Sequence, residues 1–389
     1  MKKSMVRMGV ALATMSTCAF GGTWPEWRGP AHNGVSTAKN IPTTWSKTEN
    51  VAWKVELPGR SGSSPIVWDD KIFLTTPGDG RNLLICLNQD GQEVWKADLG
   101  AEKKGKHKKG SGSNPSPATD GKHIYVYFKS GDLACVDFSG KTVWKINLQK
   151  KYGEDTLWWD LGTSPVLTED LVVVACMQSD PSPSYIAGFS KKDGKEVWKT
   201  DRNMKAPVEA NQAYSTPVLV KDNGKSLLVT LGADWLTAHH AGSGKEIWRV
   251  GGLNPTNHKY FRSISGPVVS DGIAIAPYAR GATLTAVKMG GEGDVTESHV
   301  AWTKKGVSAD VPTPAAENGR VYVCTDKGEV HCLDIKNGKT IWGERLAKSR
   351  SAVSASPVLV DGKIVVTRED GTTFILAQGD SFEVLAENT

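Results

Sequence analysis

The sequence lacks a long apolar run of the kind that forms a membrane-spanning helix. No segment after residue 21 approaches the roughly 20 consecutive apolar residues that cross a bilayer. Near the start, Lys2, Lys3 and Arg7 precede the short apolar stretch 10–20, an order typical of a signal peptide. We therefore predict a signal peptide over residues 1–21, export to the periplasm or beyond, and a soluble mature protein. Cys18 leaves a lipid anchor as an alternative, although the residues before it match a lipobox poorly.

The sequence also has little net charge, +5 over 389 residues, so a nucleic-acid partner is not expected. Much of the positive charge lies in one segment, residues 103–109, which contains five lysines and His107. Two interpretations stay open: a solvated loop, or a contact with an anionic polymer.

Cysteines are few, and five remain once residues 1–21 are removed. An odd number excludes a framework in which every cysteine is paired. In the predicted hairpin 321–334, a turn at Lys327-Gly328 pairs Cys324 with His331 and Val323 with Cys332. The two thiols then face opposite sides of the sheet, so no disulfide is expected there.

Helical periodicity is absent, and an internal repeat takes its place. Each unit opens with a small residue and a proline, and successive prolines lie 43 to 52 residues apart. The seven dipeptides are Ser64-Pro65, Ser116-Pro117, Ser164-Pro165, Thr216-Pro217, Gly266-Pro267, Thr313-Pro314 and Ser356-Pro357. Such a period is typical of repeat architectures, and the repeat takes precedence over a domain count based on length.

Each unit contains four predicted strands separated by turn residues, and the fourth carries the pattern Gly-x-x-x-Trp. This pattern occurs at Gly91 to Trp95, Gly140 to Trp144, Gly194 to Trp198, Gly244 to Trp248 and Gly338 to Trp342. Glycine supplies the positive φ of a tight turn, and tryptophan fills the wedge between neighbouring sheets. Four short strands per unit predict an all-β propeller of four-stranded antiparallel blades. A WD40 ring is disfavoured because no Trp-Asp dipeptide recurs at the repeat period.

The repeat resembles the propellers with pyrroloquinoline-quinone-like (PQQ-like) repeats. Their docking pattern, Ala-x-Asp-x-x-x-Gly-x-x-x-Trp, is matched by Cys332, Asp334, Gly338 and Trp342. The likeness covers residue 51 to the C-terminus, and segment 24–34 resembles the leader of exported bacterial members of unassigned function. The resemblance implies one of two known roles: quinoprotein dehydrogenase, or BamB-type scaffold in outer-membrane assembly. The match to the fold of this family is specific, whereas the function differs between members of the family.

The quinoprotein dehydrogenases resemble one another in a Cys-Cys pair, a calcium site and often a Cys-x-x-Cys-His haem motif. This sequence has neither cysteine motif, and no acidic and amide cluster can be singled out as a calcium site. We therefore expect no quinone, no haem and no other cofactor. His239 and His240 are adjacent, but neighbouring strand residues point to opposite faces, so no metal site is predicted there.

The candidate site is the propeller mouth, formed by the loops that enter each innermost strand. Most aligned positions before the prolines are small, but about four units carry charged, amide or aromatic residues. The predicted ligand-binding residues are Arg60, Trp158, Trp159, Asp160, Asn211, Gln212, Tyr260, Arg262 and Arg350. Two structural alternatives stay open: Trp158 and Trp159 plug the channel, and Arg262 pairs with Asp160 across it. Tyr278 and Arg280 either join the same mouth or lie on the opposite face.

Three function classes follow for a protein expected to be a monomer. The first is a non-catalytic scaffold that binds a protein partner in the cell envelope. The second is recognition of a glycan or envelope polymer at the mouth. The third is an enzyme, either sugar-acting or quinone-dependent; the best acid and base for a sugar-acting site are Asp160 with Tyr260 or His239, and no catalytic residue is assigned.

Ring closure is the last expectation. Residues 22–50 form an irregular leader that packs on the propeller, which spans residues 51–389. Residues 51–57 repeat the fourth-strand pattern without a unit before them, whereas the seventh unit ends in its own fourth strand near residues 381–385. We predict seven full repeats plus a partial eighth blade contributed by this N-terminal strand, with Trp53 beside the gap or pairing along the end of the ring. The chain is then either truncated or a ring that closes imperfectly.

Overall fold

The computed structural model describes residues 23–278, 280 and 282–389. These residues form seven sheets, each built around four consecutive antiparallel strands, so the predicted propeller is confirmed. No helix within these ranges is both long and apolar enough to cross a membrane. The predicted signal peptide and Cys18 lie outside the described residues.

The strands follow the repeat closely. A short leader strand, β1 (Val35–Ser36), precedes the blades. Blade 1 contains β2 (Ile66–Trp68), β3 (Lys71–Gly78), β4 (Arg81–Asn88) and β5 (Glu93–Ala101). Blade 2 contains β6 (Ala118–Thr119), β7 (His123–Tyr127), β8 (Asp132–Asp137) and β9 (Thr142–Asn147), followed by α1 (Leu148–Tyr152). Blade 3 contains β10 (Val166–Leu167), β11 (Leu171–Cys176), β12 (Tyr185–Ser190) and β13 (Glu196–Asp201), followed by a 3-10 turn, Val208–Asn211.

The other four blades repeat this order with one insertion. Blade 4 contains β14 (Val218–Asp222), β15 (Lys225–Gly232), β16 (Trp235–His240) and β17 (Glu246–Val250). Blade 5 contains β18 (Val268–Ser270), β19 (Ile273–Tyr278), β20 (Thr283–Lys288) and β22 (Val300–Lys305). Its insertion holds β21 (Gly293–Asp294), which pairs with β17, and α2 (Thr296–His299). Blade 6 contains β23 (Ala315–Glu317), β24 (Arg320–Cys324), β25 (Glu329–Asp334) and β26 (Thr340–Arg345). Blade 7 contains β27 (Val358–Val360), β28 (Lys363–Thr367), β29 (Thr373–Ala377) and β30 (Val384–Asn388).

Each innermost strand begins directly after its repeat proline, as at Pro65 before Ile66 and Pro117 before Ala118. Proline has no N–H to give to a ladder, so it fits the start of a strand. The hydrophobic core lies between the blades; one cluster joins Phe73 of blade 1 to Ile124 and Val126 of blade 2. The hydrophobic core is therefore formed by contacts between the sheets of neighbouring blades.

In most blades the tryptophan of the fourth strand contacts the next blade. Trp95 Nε1 donates to the Phe138 carbonyl at 2.9 Å, and Trp144 Nε1 donates to the Lys191 carbonyl at 2.8 Å. The Trp144 ring lies on Gly194, where a Cβ atom would be 2.7 Å from the ring. Small residues stand opposite these tryptophans in the sheets, as the repeat predicts: Cys86 pairs with Trp95, Cys135 with Trp144, and Cys332 with Trp342.

The predicted pairing of the Cys324 hairpin is wrong by one residue. Val323 lies opposite His331, and Cys324 lies opposite Val330. The turn occupies Thr325 to Gly328, since the Gly328 amide donates to the Thr325 carbonyl. This register puts Cys324 and Cys332 on the same face, in one apolar cluster. All five described cysteines are nevertheless free and buried.

The leader follows the inner edges of the blades at the end of the channel away from the mouth. Trp24 exchanges two backbone hydrogen bonds with Val67 of blade 1, and the Pro25 carbonyl accepts from Thr119 of blade 2. Across the ring, β1 pairs in parallel with β27 of blade 7. These bonds satisfy backbone groups that would otherwise be free at the edge of each sheet.

Beyond β1, the leader lies between blade 7 and blade 1. The Trp45 amide donates to the Asn388 side chain of blade 7 at 2.8 Å. Trp53 and Val55 pack on the apolar face of blade 1, and Trp53 Nε1 donates to the Gln89 carbonyl at 2.6 Å. Seven complete blades with Trp53 at the end of the ring are thus confirmed.

The partial eighth blade is wrong, because residues 51–57 form no strand. The segment instead packs Trp53 and Val55 on blade 1, and blade 7 has four antiparallel strands of its own. The last strand also lies later than predicted, at Val384–Asn388.

Candidate functional site at the propeller mouth

A channel with a volume of about 2200 Å³ runs through the ring. Arg60, Trp159, Asp160 and Arg262 line it at the mouth, and the leader residues Trp24, Trp27 and Arg28 line it at the opposite end. The leader therefore forms the floor of the channel. Four of the nine predicted site residues contribute to its wall.

Asp160 is buried and anchors residues 102–110, which contain the lysine-rich segment 103–109 and which we call the basic loop. Its carboxylate accepts the backbone amides of Lys106 at 2.7 Å and His107 at 3.0 Å, and it also binds the Lys129 ammonium. Burial by itself raises the pKa of Asp160, but the hydrogen bond from Lys129 and the two amides lower it below the ordinary value. Asp160 is therefore an ionised structural anchor with its hydrogen-bonding capacity largely used.

The basic loop crosses the mouth, and its lysines contact other blades. Arg60 Nη1 donates to the Lys108 carbonyl at 2.5 Å. Lys109 lies 2.5 Å from Glu369 of blade 7, and Lys103 lies 3.2 Å from Glu154. Lys104, Lys106, Lys108 and Lys109 are nevertheless exposed, and ion pairs of exposed lysines contribute little to stability. The solvated loop and the contact with an anionic polymer therefore both stay open as predictions.

Arg262 does not pair with Asp160 across the channel, so this structural alternative is also wrong. Its Nε lies 3.4 Å from Glu209, and its Nη2 donates to Asp310 at 3.3 Å. Asp160 is unavailable because Lys129 occupies it. Arg262 is 9% exposed, and its Nη1 has no hydrogen-bond partner among the described residues.

Three aromatic side chains stand exposed beside the mouth: Trp158, Trp159 and Tyr260, which we call the aromatic rim. Their exposed fractions are 46%, 40% and 49%, so the two tryptophans do not plug the channel. The ring centres of Trp158 and Tyr260 lie 6.4 Å apart. Large aromatic surface in contact with solvent is unusual in a folded chain and marks a binding surface when it is clustered.

The backbone beneath the aromatic rim is fixed by hydrogen bonds from blade 4. The Gln212 side-chain oxygen accepts from the Trp158 amide at 3.0 Å, and the Tyr214 hydroxyl accepts from the Trp159 amide at 3.2 Å. Trp159 Nε1 donates to Glu209 at 2.9 Å. Gln212 and its neighbour Asn211 are buried and do not line the channel; Gln212 supports the rim from beneath.

The remaining predicted residues separate into three environments. Arg280 lines the channel and donates to the Tyr260 carbonyl at 3.2 Å. Tyr278 is buried and donates to the Phe261 carbonyl at 2.5 Å, which holds the same loop from beneath. Arg350 is exposed and does not line the channel.

Sequence reasoning missed Glu209, Asp310 and Val208. Glu209 and Asp310 surround Arg262, but they fall outside the aligned positions before the prolines. Val208 is 45% exposed and has φ +45°. A β-branched residue in this region is strained, and such strain often lies at functional sites.

Of the two acid and base pairs proposed for an enzyme, Asp160 and His239 are not brought together. His239 is buried, with its ring between the Gly244 carbonyl at 3.1 Å and the Thr237 hydroxyl at 3.0 Å. Burial lowers the pKa of His239 to about 4. A bulge does occur between Ala238 and His239, but His240 bonds to Ser243 on its own turn. Both histidines are therefore structural parts of blade 4.

The residues present do not fit the quinone site of the dehydrogenases that the sequence resembles. Within the described ranges, no cysteine lines the channel, and each is buried inside a blade. The same ranges contain no group of three or more His, Cys, Asp or Glu side chains with the geometry of a metal site. The described residues therefore offer neither the thiol pair nor the group of calcium ligands of that chemistry.

A model of the family described as outer membrane protein assembly factor BamB matches residues 35–179, 80–276 and 232–381. The BamB of Burkholderia pseudomallei (strain K96243) is 22% identical over 361 residues, which cover 90% of this chain and 84% of that protein. The BamB of Yersinia pestis is 24% identical over 197 residues, 46% of this chain and 45% of that protein. This second match thus spans less than half of the relative's length.

Two solved structures share the fold. BamB from Moraxella catarrhalis has a TM-score of 0.58 at 17% identity, covering 84% of this chain and 87% of that one. Quinohemoprotein alcohol dehydrogenase ADHIIG from Pseudomonas putida HK5 has a TM-score of 0.66 at 13% identity, covering 94% and 72%. At these identities the structures establish the fold and not the activity. Together with the family match over most of its length, they show that the chain belongs to the PQQ-like propeller family described as outer membrane protein assembly factor BamB.

Proposed function

We propose that this chain is an exported, non-catalytic propeller that binds a protein partner at its mouth and acts as an assembly scaffold in the cell envelope. The observation that carries the proposal is the aromatic rim, exposed on a backbone that blade 4 holds in place. The names of the relatives, outer membrane protein assembly factors, support a protein as the partner.

The physics of the rim favours a protein ligand. Trp and Tyr dominate binding energy at protein interfaces because they bring a large contact area and lose little side-chain entropy. Trp158 and Tyr260 lie close enough to cover one side chain or one short segment of a partner together. Val208, exposed and strained, belongs to the 3-10 turn that also positions Glu209 beneath Trp159.

The partner class consistent with this proposal is an extended segment of an outer-membrane β-barrel protein. Binding of such peptides to the purified chain should be measured by calorimetry for the wild type and for a Trp158→Ala/Tyr260→Ala double variant. We expect the double variant to bind at least tenfold more weakly, since hot-spot truncations cost about 2 kcal/mol or more each. Neither side chain is buried in the core, so the unfolding midpoint should not change.

Val143→Ala is the matched control, because Val143 is a similarly exposed apolar residue, 47%, on the outer strand of blade 2. Equal peptide affinity in the double variant and the wild type would show that the rim does not bind the peptide, which would contradict the proposal. Binding of neutral glycans at the rim in place of peptides would establish the alternative, recognition of an envelope polymer.

A further inference from the structure

Arg28 is a buried cation without a carboxylate partner, and it lies on the channel wall. Its side chain is 3% exposed, and it contributes to the channel lining. Its Nη2 donates to the Pro314 carbonyl at 3.1 Å, whereas its Nε has no hydrogen-bond partner in the described part of the chain. A buried charge that is not paired is costly, so a protein rarely keeps one without a use.

The leader is built to hold Arg28 in this place. Arg28 has φ +73°, a strained conformation for a residue with a side chain. Gly34 leaves the space that the guanidinium fills, since a Cβ atom there would lie 1.9 Å from Nη2. Burial lowers the pKa of Arg28 to about 9, so the side chain is still a cation at neutral pH.

The nearest leader groups do not neutralise Arg28. Glu26 lies 3.5 Å from His32. Burial raises the pKa of Glu26 to about 8 and lowers the pKa of His32 to about 4, so both are mainly neutral at pH 7. The floor of the channel therefore carries a net positive charge.

A second arginine lines the channel nearer the mouth, where Glu209 and Asp310 offset its charge. Arg262 is nine-tenths buried, lines the same channel, and has an Nη1 without a partner within the described ranges. Arg28 contacts Pro314, and Arg262 contacts Asp310, four residues earlier on the segment that enters blade 6. Four residues span at most about 13 Å, so one elongated ligand can reach both guanidinium groups.

Aromatic walls accompany the two cations. The indoles of Trp24 and Trp27 line the floor, and that of Trp159 lines the upper wall. Flat indole faces pack against the C–H faces of sugar rings, and a guanidinium binds a carboxylate through two parallel hydrogen bonds. An entirely apolar or neutral ligand would leave Arg28 unpaired.

We propose that the channel interior is a binding site for an acidic saccharide, with its carboxylate on Arg28 and its chain extending along Trp159 toward Arg262. This interior site goes beyond the proposed function and shares Trp159 with the aromatic rim. Trp158 and Tyr260 do not line the channel, so the two sites can be tested independently.

The test uses trigalacturonate as the acidic probe, a neutral galactose trisaccharide as the matched sugar, and triglutamate as the matched acid. Binding is measured by calorimetry and by the shift in unfolding midpoint, since a ligand of the native state raises it. We expect trigalacturonate to bind the wild type and to raise its midpoint, with the other two at least tenfold weaker. Equal binding of the neutral sugar, preferential binding of triglutamate, or no binding of trigalacturonate would each overturn the proposal.

Two variants and a control locate the site. Arg28→Met keeps the length of the side chain without its charge, so it should lose trigalacturonate binding by at least tenfold. It should also unfold at the same or a higher temperature than the unliganded wild type, because an unpaired buried charge has been removed. A purely structural Arg28 predicts the opposite: lower stability with the binding retained.

Arg262→Gln should weaken trigalacturonate binding as well, and it decides the question if Arg28→Met does not fold. Arg345→Gln, on the exposed outer strand of blade 6, is the control and should bind normally. Normal binding by Arg262→Gln, together with normal binding or misfolding of Arg28→Met, would overturn the proposal. The rim variant Trp158→Ala/Tyr260→Ala should bind trigalacturonate like the wild type, whether or not the scaffold proposal holds.

Discussion

The junctions between consecutive blades and the junction that closes the ring use the same contact, but a different part of the chain supplies it. At a regular junction, Trp144 of blade 2 lies on Gly194 and bonds to the Lys191 carbonyl of blade 3. At the closing junction, Trp53 of the leader lies on Gly91 and bonds to the Gln89 carbonyl of blade 1. Blade 7 has no tryptophan in β30. The leader, an irregular segment, thus supplies with Trp53 the contact that the fourth strand of blade 7 lacks.

The inner edges of the blades show the same difference. At most regular junctions the residue before the proline donates its amide to the hydroxyl of the next unit. Ser64 donates to Ser116 at 2.9 Å, and Thr313 donates to Ser356 at 2.9 Å. No such bond joins Ser356 to Ser64 in the described part of the chain. The closing junction is therefore a seam held by the leader, and the other junctions are held by the repeat.

The largest effect should come from removing a junction tryptophan. Trp144→Ala should lower the free energy of unfolding by about 3–5 kcal/mol, because it opens a cavity between two blades. Trp53→Ala should cost less, about 1–3 kcal/mol, because Trp53 is only half-buried. Denaturant unfolding measures both values.

Hydrogen exchange separates the two variants further. In Trp53→Ala the amides of blade 1 should exchange faster than those of blades 3 to 5, since only the seam is loosened. A Trp53→Ala variant that is as unstable as Trp144→Ala, with uniformly faster exchange, would show that the seam is no different from the other junctions.

A second effect concerns the leader and depends on pH. The pKa of Glu26 is about 8 in the folded chain, mainly through burial, against 4.5 when exposed. Folding therefore requires a proton on Glu26, and stability falls as pH rises from 4.5 toward 8. Glu26→Gln removes this loss, so the variant should gain on the wild type by roughly 1.4 kcal/mol per pH unit over that interval.

Unfolding midpoints of the two proteins at pH 5, 6.5 and 8 measure this difference. His32, whose folded pKa is lowered by burial to about 4, destabilises both proteins as pH falls below 6.5 and largely cancels in the comparison. If the difference in unfolding midpoint between the two proteins is constant or becomes smaller as pH rises, Glu26 is ionised in the folded chain.

The smallest effect tests the inner edge. Ser116→Ala removes the acceptor of the Ser64 amide and should lower the free energy of unfolding by about 1 kcal/mol. Ser64→Ala is its matched control at the seam, because the Ser64 hydroxyl accepts no amide from blade 7 within the described ranges, and it should change stability by less than about 0.5 kcal/mol. Thermal unfolding measures the stability of the two variants. An equal loss of stability in both would indicate that a hydrogen bond also crosses the seam.

The site was only partly predictable from the repeat. Aligning the units on their prolines identified Arg60, Asp160 and Arg262 because the mouth loops occupy equivalent positions in every blade. It did not identify the partners of these residues, since Glu209 lies on a 3-10 turn and Lys129 follows a second strand. Arg28 was missed as a site residue because nothing in a leader segment indicates that its side chain enters the channel.

The sequence by itself determined the seven blades, the start of each innermost strand and the tryptophans that fill the wedges between blades. These features depend on local rules that recur in most units: proline precedes the start of a strand, glycine allows a turn, and tryptophan fills a wedge. Only the tertiary structure decided the register of the Cys324 hairpin, the route of the leader and the pairing of Arg262. The position of a turn can shift by one residue without a change in composition. The leader has no periodicity from which its pairing with the edges of the blades could be predicted. Ion pairs across a channel join residues far apart in sequence, so their partners are fixed only when the ring has closed.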